Sequence, residues 1–229
     1  MKNKKEELLE FKKKIKILNT PAKIQDFINN IPVNFELDGV DTCLSPLNVL
    51  RKNKCHCIEG AFFAAACIWL NKIGNSKPLV IDMRGEKGDW DHVIAVFRID
   101  GKFGAISKTN HAVLRYREPV YSSVRELVMS YFHEYTDDRR IGKKTLREYS
   151  DLVDLSIFGK DWIISSEDLW EIHDYLDRVK HFKILSKKQE KNLRKADKIE
   201  VAMGELREFD KKKAQAGKNT LNKWKVENF

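Results

Sequence analysis

The segment Cys57–Leu70 constrains this chain more than any other. It reads Cys-Ile-Glu-Gly-Ala-Phe-Phe-Ala-Ala-Ala-Cys-Ile-Trp-Leu, and its last ten residues, from Ala61, are all apolar. A helix that is apolar all round has no face to offer water, so other elements must enclose it. The run is too short to cross a bilayer, which takes about 20 residues. It therefore predicts a buried central helix that opens at Cys57, runs to about Lys72 and stops at Gly74. The small residues Ala61, Ala64, Ala65 and Ala66 let neighbouring elements approach closely. A chain of 229 residues is long enough to bury such a helix in one domain.

Charge divides the chain. The net charge of +9 is uneven: residues 1–20 hold seven Lys against three acids, and residues 181–229 hold fourteen Lys or Arg against seven acids. The intervening part is left slightly acidic. This predicts a charged N-terminal helix over 1–20, a domain over 21–180, and a basic helical extension over 181–229. A near-neutral body argues against a nucleic-acid-binding domain, while the basic termini leave a nucleic-acid or anionic-surface contact open. Mixed signs at helical spacing, such as Glu190, Arg194 and Lys198, also describe a solvated face. With 34% charged and 42% hydrophobic residues, a disordered or collagen-like chain is excluded. No run is long enough for a membrane span, and no apolar segment after the lysine-rich start suits a signal peptide. The reading is a soluble, cytoplasmic protein whose oligomeric state is open.

The remaining elements read as follows. Residues 3–16 predict a charged helix. Thr20-Pro21 starts a second, with Ile24, Phe27, Ile28 and Ile31 on its apolar face, and Ser45-Pro46 starts a short third through about Arg51. Strands are predicted at Pro78–Met83, His92–Ile99 and Lys102–Thr109, with Asp100-Gly101 as a two-residue hairpin turn. Val93, Ala95 and Phe97 alternate with Ile94 and Val96, so the second strand is apolar on both faces and lies inside a sheet covered on both sides. Helices return at Ser123 and Glu126, read as a capping box, and at Ser165 and Asp168, ahead of Leu169, Ile172, Leu176 and Val179. Residues 184–215 predict charged helix with Ile199, Met203, Leu206 and Phe209 as a buried stripe. Gly217 and Asn219 precede a short tail. The order of helices, sheet hairpin, then helices gives an α+β class.

Four cysteines and six histidines carry the candidate chemistry. Cys67 lies within the apolar helix as a small core residue, and Cys43 has no clear role. Cys55-His56-Cys57 lacks the second ligand pair that structural zinc requires. Cys57 sits where a loop becomes a helix, among N–H groups with no intrahelical partner. The helix end contributes about 0.3–1 kcal/mol, less than the roughly 1.4 kcal/mol of one pKa unit. A thiol there needs a second partner, usually an imidazolium, to become a thiolate at neutral pH. His56 is next in sequence, and adjacent residues rarely face each other productively. His111 follows the hairpin, while His133, His173 and His181 fall on or beside predicted surface helices. His92 opens the buried strand, behind Asp89-Trp90-Asp91. Glu59 reads as a first-turn acid that complements the helix dipole.

Arg51-x₅-Cys57-x₃-Ala61, a helix ending near Gly74, a strand, His92 on the next strand, and a hairpin with Gly101 before Phe103 together resemble the transglutaminase-like branch of the papain-like cysteine enzymes. The similarity covers about residues 45–110. It implies a papain-like core in which a central helix packs on an antiparallel sheet, with flanking helices. It also implies Cys57 as nucleophile, His92 as general base, and a third group at Ser107, where the family has Asp. Hairpin register agrees with that last match. With Ile99 opposite Lys102, Thr109 lies opposite His92 and Ser107 lies diagonal to it on the same face. A hydroxyl can hold an imidazole by accepting its Nδ1–H, but it supplies no negative charge. Asp82, Asp89 and Asp91 are the carboxylates near enough in the chain to do so.

The resemblance implies acyl transfer through a Cys57 thioester on a protein or peptide amide, ending in hydrolysis, deamidation or cross-linking; some members of that family use calcium, but no oxygen-rich loop here implies it, so no cofactor and no metal are expected. The missing Asp favours the alternative, a non-catalytic binding module on the same scaffold. The sequence names neither the substrate nor the acyl acceptor.

Overall fold

The structure, a computed structural model, describes residues 3–137 and 141–217. Asn219 and the rest of the predicted tail lie outside them. Four helices come first: α1 (Lys4–Ile15), α2 (Pro21–Asn30), α3 (Pro46–Lys52) and α4 (Cys57–Leu70). α2 and α3 start where Thr20-Pro21 and Ser45-Pro46 predict, and α1 lies within the predicted charged helix. Asn3, Thr20 and Ser45 accept hydrogen bonds from first-turn N–H groups, and Pro21 and Pro46 occupy the first position. The strands β1 (Leu79–Gly85), β2 (His92–Ile99), β3 (Lys102–Ile106) and β4 (Arg117–Tyr121) follow, then α5 (Val124–Met129), β5 (Leu146–Ser150), β6 (Val153–Asp154), α6 (Trp170–Arg178) and β7 (His181–Lys183). Three short helices, α7 (Lys187–Lys191), α8 (Lys198–Gly204) and α9 (Lys211–Gln215), close the described chain.

The class is α+β, with an antiparallel sheet. Its strand order is β4-β3-β2-β1-β5-β7, and β6 pairs with β1. Asp100 and Gly101 both have positive φ, 49° and 78°, as the two-residue turn requires. Ile99 pairs with Lys102, in the expected register. β2 is central and buried on both faces. Val93, Ala95 and Phe97 join the core formed with α1 to α4, while Ile94 and Val96 join a second core with Leu127, Val128 and Tyr131 of the opposite layer. Within α4 every residue from Ile58 to Ile68 is buried.

Three expectations are corrected. β3 ends at Ile106, not Thr109, because the backbone N–H and C=O of Ser107 leave the ladder for the side-chain amide of Gln25. Ser165 and Asp168 do not cap α6; the chain makes a tight turn at Asp161–Ile164 and the helix starts at Trp170. Residues 184–215 form three short helices, since Ser186, Asp197 and Asp210 each cap a separate start. Between α8 and α9 the backbone bonds to Asn110 instead: Phe209 N–H donates to its Oδ1 at 2.7 Å, and its Nδ2 donates to Phe209 C=O at 2.8 Å. The predicted stripe does not form. Ile199 is 81% exposed, and only Phe209 of the four is buried.

Lys108 lies against α4. It is buried, and its ammonium donates to the carbonyls of Ile28 and Ile31 at the end of α2. Gly60 makes this approach possible, because a Cβ there would stand 2.3 Å from the Lys108 Cβ. Gly→Ala inside a helix ordinarily stabilises by up to about 1 kcal/mol. At Gly60 the sign reverses: Gly60→Ala is expected to lower stability by about 1–3 kcal/mol, as overpacking does. An unchanged or raised midpoint of thermal unfolding would contradict the close contact.

Candidate active site

The start of α4 is clamped before the helix begins. Cys55 N–H donates to Pro32 C=O at 3.2 Å, and Asn34 N–H donates to Cys55 C=O at 3.1 Å. His56 follows in an extended conformation (φ −99°, ψ −168°) as the cap residue, and Cys57 takes the first helical position. Glu59 closes the turn, its Oε2 accepting His56 N–H at 2.8 Å. Glu59 is fully buried. It also accepts from Thr42 Oγ1 at 2.7 Å, Leu44 N–H at 3.0 Å and Asn34 Nδ2 at 3.3 Å. It is thus a first-turn acid, as expected, and also the anchor that ties the Asn34–Leu44 loop to the helix.

His92 opens β2 and faces Cys57 from the sheet. Its Nε2 lies 2.7 Å from Ser107 Oγ, which leaves Nδ1 for the thiol. The structure therefore brings Cys57, His92 and Ser107 together. It corrects one detail, since Ser107 holds Nε2 and not Nδ1. Ser107 is fully buried, and Gln25 grips its backbone on both sides: Nε2 donates to Ser107 C=O and Oε1 accepts Ser107 N–H, each at 2.9 Å. The nearby carboxylates are engaged elsewhere. Asp82 accepts from Arg84 and His181, Asp91 from Gly85 N–H, and Asp89 from Thr145. Among the described residues none of them bonds to His92.

His56 is the residue that sequence reasoning set aside. His56 takes an extended cap conformation, and its side chain is hydrogen-bonded to Cys57. Its Nε2 lies 2.9 Å from Thr42 C=O, 3.4 Å from Glu59 Oε1 and 3.5 Å from Glu36 Oε1. Burial alone would lower its pKa. The bond to Cys57, the Cys57 and Glu59 charges and the Thr42 carbonyl outweigh that and push it up to about 9. Burial alone would likewise raise the Cys57 thiol. Hydrogen bonds from His56 and His92, with their charges, bring it down to about 5. The other thiols move the opposite way: burial pushes Cys55 up to about 12 and raises Cys43 and Cys67 as well. All four cysteines are free. The signal that could have found His56 is its position, a histidine where a helix cap is ordinarily Ser, Thr, Asp or Asn.

His181, expected on the surface, is instead on β7 with a side chain 7% exposed, 3.1 Å from Asp82 Oδ2. Cys57 and His92 open into a groove of about 700 Å³. Its walls include Glu36, Thr42, Trp90, Thr109 and Trp170. Among the described residues, no group of three or more His, Cys, Asp or Glu side chains is placed to hold a metal ion, and no helix is long and apolar enough to cross a membrane. No protein-family model matches the chain, and no curated protein matches it.

Proposed function

We propose that this chain is a transglutaminase-like cysteine acyl-transfer enzyme acting on a protein or peptide amide, on a papain-like arrangement of central helix and antiparallel sheet. The observation that carries this reading is the Cys57–His92 pair at the junction of α4 and β2, with the far nitrogen of His92 held by Ser107 at 2.7 Å. A thiol brought down to about 5 is a thiolate at neutral pH, which a merely structural cysteine is not.

The chemistry follows from those positions. Cys57 Sγ attacks the amide carbon and forms the C–S bond. The resulting oxyanion lies near the first-turn N–H groups of α4, of which Cys57 N–H is the nearest in the chain. His92 gives its Nδ1 proton to the departing nitrogen, the C–N bond breaks, and a thioester remains. Water then attacks, His92 takes its proton, and the thiolate leaves; an amine in place of water gives a cross-link. A neutral hydroxyl at Ser107 orients the imidazole as the neutral amide does in papain-like enzymes. The same hydroxyl favours the second reading, a binding module on this scaffold, because it adds no charge to stabilise the imidazolium.

Iodoacetamide labelling of each thiol against pH separates the two. Cys57 is expected to label with a midpoint near about 5, and the midpoint rises in His92→Ala. Labelling of Cys57 only near about pH 8.5, the range of a free thiol, would leave the binding module as the better reading.

A further inference from the structure

The chain is basic as a whole, yet the groove around Cys57 has acidic walls. Glu36 and Asp41 lie on one segment of its lining, and Asp82, Asp89, Asp91 and Asp177 on others. Lys108, also in the lining, gives its ammonium to the Ile28 and Ile31 carbonyls. Arg84 bridges Asp82 and Asp177, at 3.0 Å to each. Asp41, Asp89 and Asp91 make no ion pair among the described residues. Burial and the neighbouring Asp82 and Asp177 charges hold Asp91 above the usual carboxylate range, against the pull of Gly85 N–H and Arg84. Against these acids the lining sets the cations Lys108 and His56, the latter 3.5 Å from Glu36 and paired with Cys57, so the acids outnumber the cations and the excess lies at Asp41, Asp89 and Asp91.

Two tryptophans share these walls. Trp90, between Asp89 and Asp91, is 79% exposed, and Trp170 is 41% exposed. A large aromatic face left in water beside carboxylates attracts a guanidinium or ammonium by cation–π and Coulomb terms together. Val33, Ile58, Val93 and Leu176 add apolar surface to the lining. The combination of charge, aromatic face and apolar lining suits a peptide more than a small ion.

We propose that the groove receives an extended basic peptide segment, with an arginine or lysine side chain over Trp90 between Asp89 and Asp91, next to the amide presented to Cys57. What happens to that amide rests on the acyl-transfer reading; the preference for positive charge rests on the groove.

Protection of Cys57 tests the preference in the wild-type full chain. At about pH 9 iodoacetamide alkylates a thiol whether or not it is activated, so slowed labelling reports that the peptide occupies the groove, whether bound or as its thioester. Two blocked, cysteine-free peptides are compared, identical except for an Arg-Gln-Arg or a Glu-Gln-Glu core. The arginine peptide is expected to halve the rate at a concentration at least about tenfold lower than the glutamate peptide. The gap is expected to shrink with added salt, in Trp90→Ala, and in Asp89→Asn with Asp91→Asn. The net charge of the chain attracts the acidic peptide, so loose association with the basic termini works against this result. Equal protection, stronger protection by the glutamate peptide, or protection by neither would overturn the proposal. If Cys57 instead labels like an ordinary thiol across pH while the arginine peptide still protects it, acyl transfer fails and the groove preference stands.

Discussion

Glu59→Ala is expected to lower the stability of the folded chain by about 3–5 kcal/mol, the range for removing one member of a buried charged network. Glu59 is fully buried and accepts from His56 N–H, Leu44 N–H, Thr42 Oγ1 and Asn34 Nδ2. Alanine removes the acceptor of His56 N–H and Leu44 N–H, while Thr42 Oγ1 keeps Glu36 Oε1 and Asn34 Nδ2 keeps Thr42 Oγ1; each unsatisfied buried donor costs about 1–3 kcal/mol. Relaxation and water entry keep the total below the sum. Glu59→Gln keeps the shape and one acceptor oxygen, so its loss is expected to be smaller but still measurable. Urea unfolding of the three proteins gives the comparison, provided the slope is unchanged. A loss under about 1 kcal/mol for the alanine variant would mean that the loop does not depend on this anchor. The consequence for the site is direct, because the same loop supplies Glu36, Asp41 and Thr42 to the groove wall. Loss of Glu59 releases that wall and the cap that aims His56.

How much of this was legible depends on the range of the forces involved. β2 and the hairpin were, because an Asp-Gly turn and strict alternation are local, and register propagates from the turn. That register alone placed Ser107 diagonal to His92. The early end of β3 was not legible. It depends on Gln25, eighty-two residues away, competing for the backbone of Ser107, and no local pattern marks a buried glutamine for that task. Which nitrogen of His92 meets Ser107 was missed for a related reason, since ring orientation is set by packing after the strands have paired. The C-terminal segment misled because helical spacing of Ile199, Met203 and Leu206 ignored three cap residues, Ser186, Asp197 and Asp210, that break it into separate starts. His56 was discounted by a rule that holds within a helix or strand. It fails at a helix cap, where one residue is extended and the next helical, so that two neighbouring side chains converge.

That convergence leads to the second large effect. His56→Ala is expected to raise the midpoint of Cys57 alkylation from about 5 by one pH unit or more, about 1.4 kcal/mol per unit. The sign follows from the pair. The thiol is lowered in the folded state, so its contribution is present at high pH and lost as pH falls through about 5. His56 is raised, so its contribution is present at low pH and lost as pH rises through about 9. Thiolate and imidazolium therefore coexist between these limits, and alanine removes the cationic partner across the whole window. The two histidines are then separable by what they hold. On the acyl-transfer reading His56, its Nε2 enclosed by Thr42 C=O, Glu59 and Glu36, keeps its proton and serves to position and stabilise the thiolate. On the same reading His92 uses Nδ1 for proton transfer, while Ser107 holds Nε2. His92→Ala is expected to abolish turnover of an amide at every pH, whereas His56→Ala should recover turnover as pH rises past the new midpoint. Rates of alkylation and of amide turnover, measured on the same protein across pH, give both readouts. An unmoved alkylation midpoint in His56→Ala would assign the lowered thiol to His92 alone, and turnover that fails to recover at high pH would place His56 in the proton-transfer step itself.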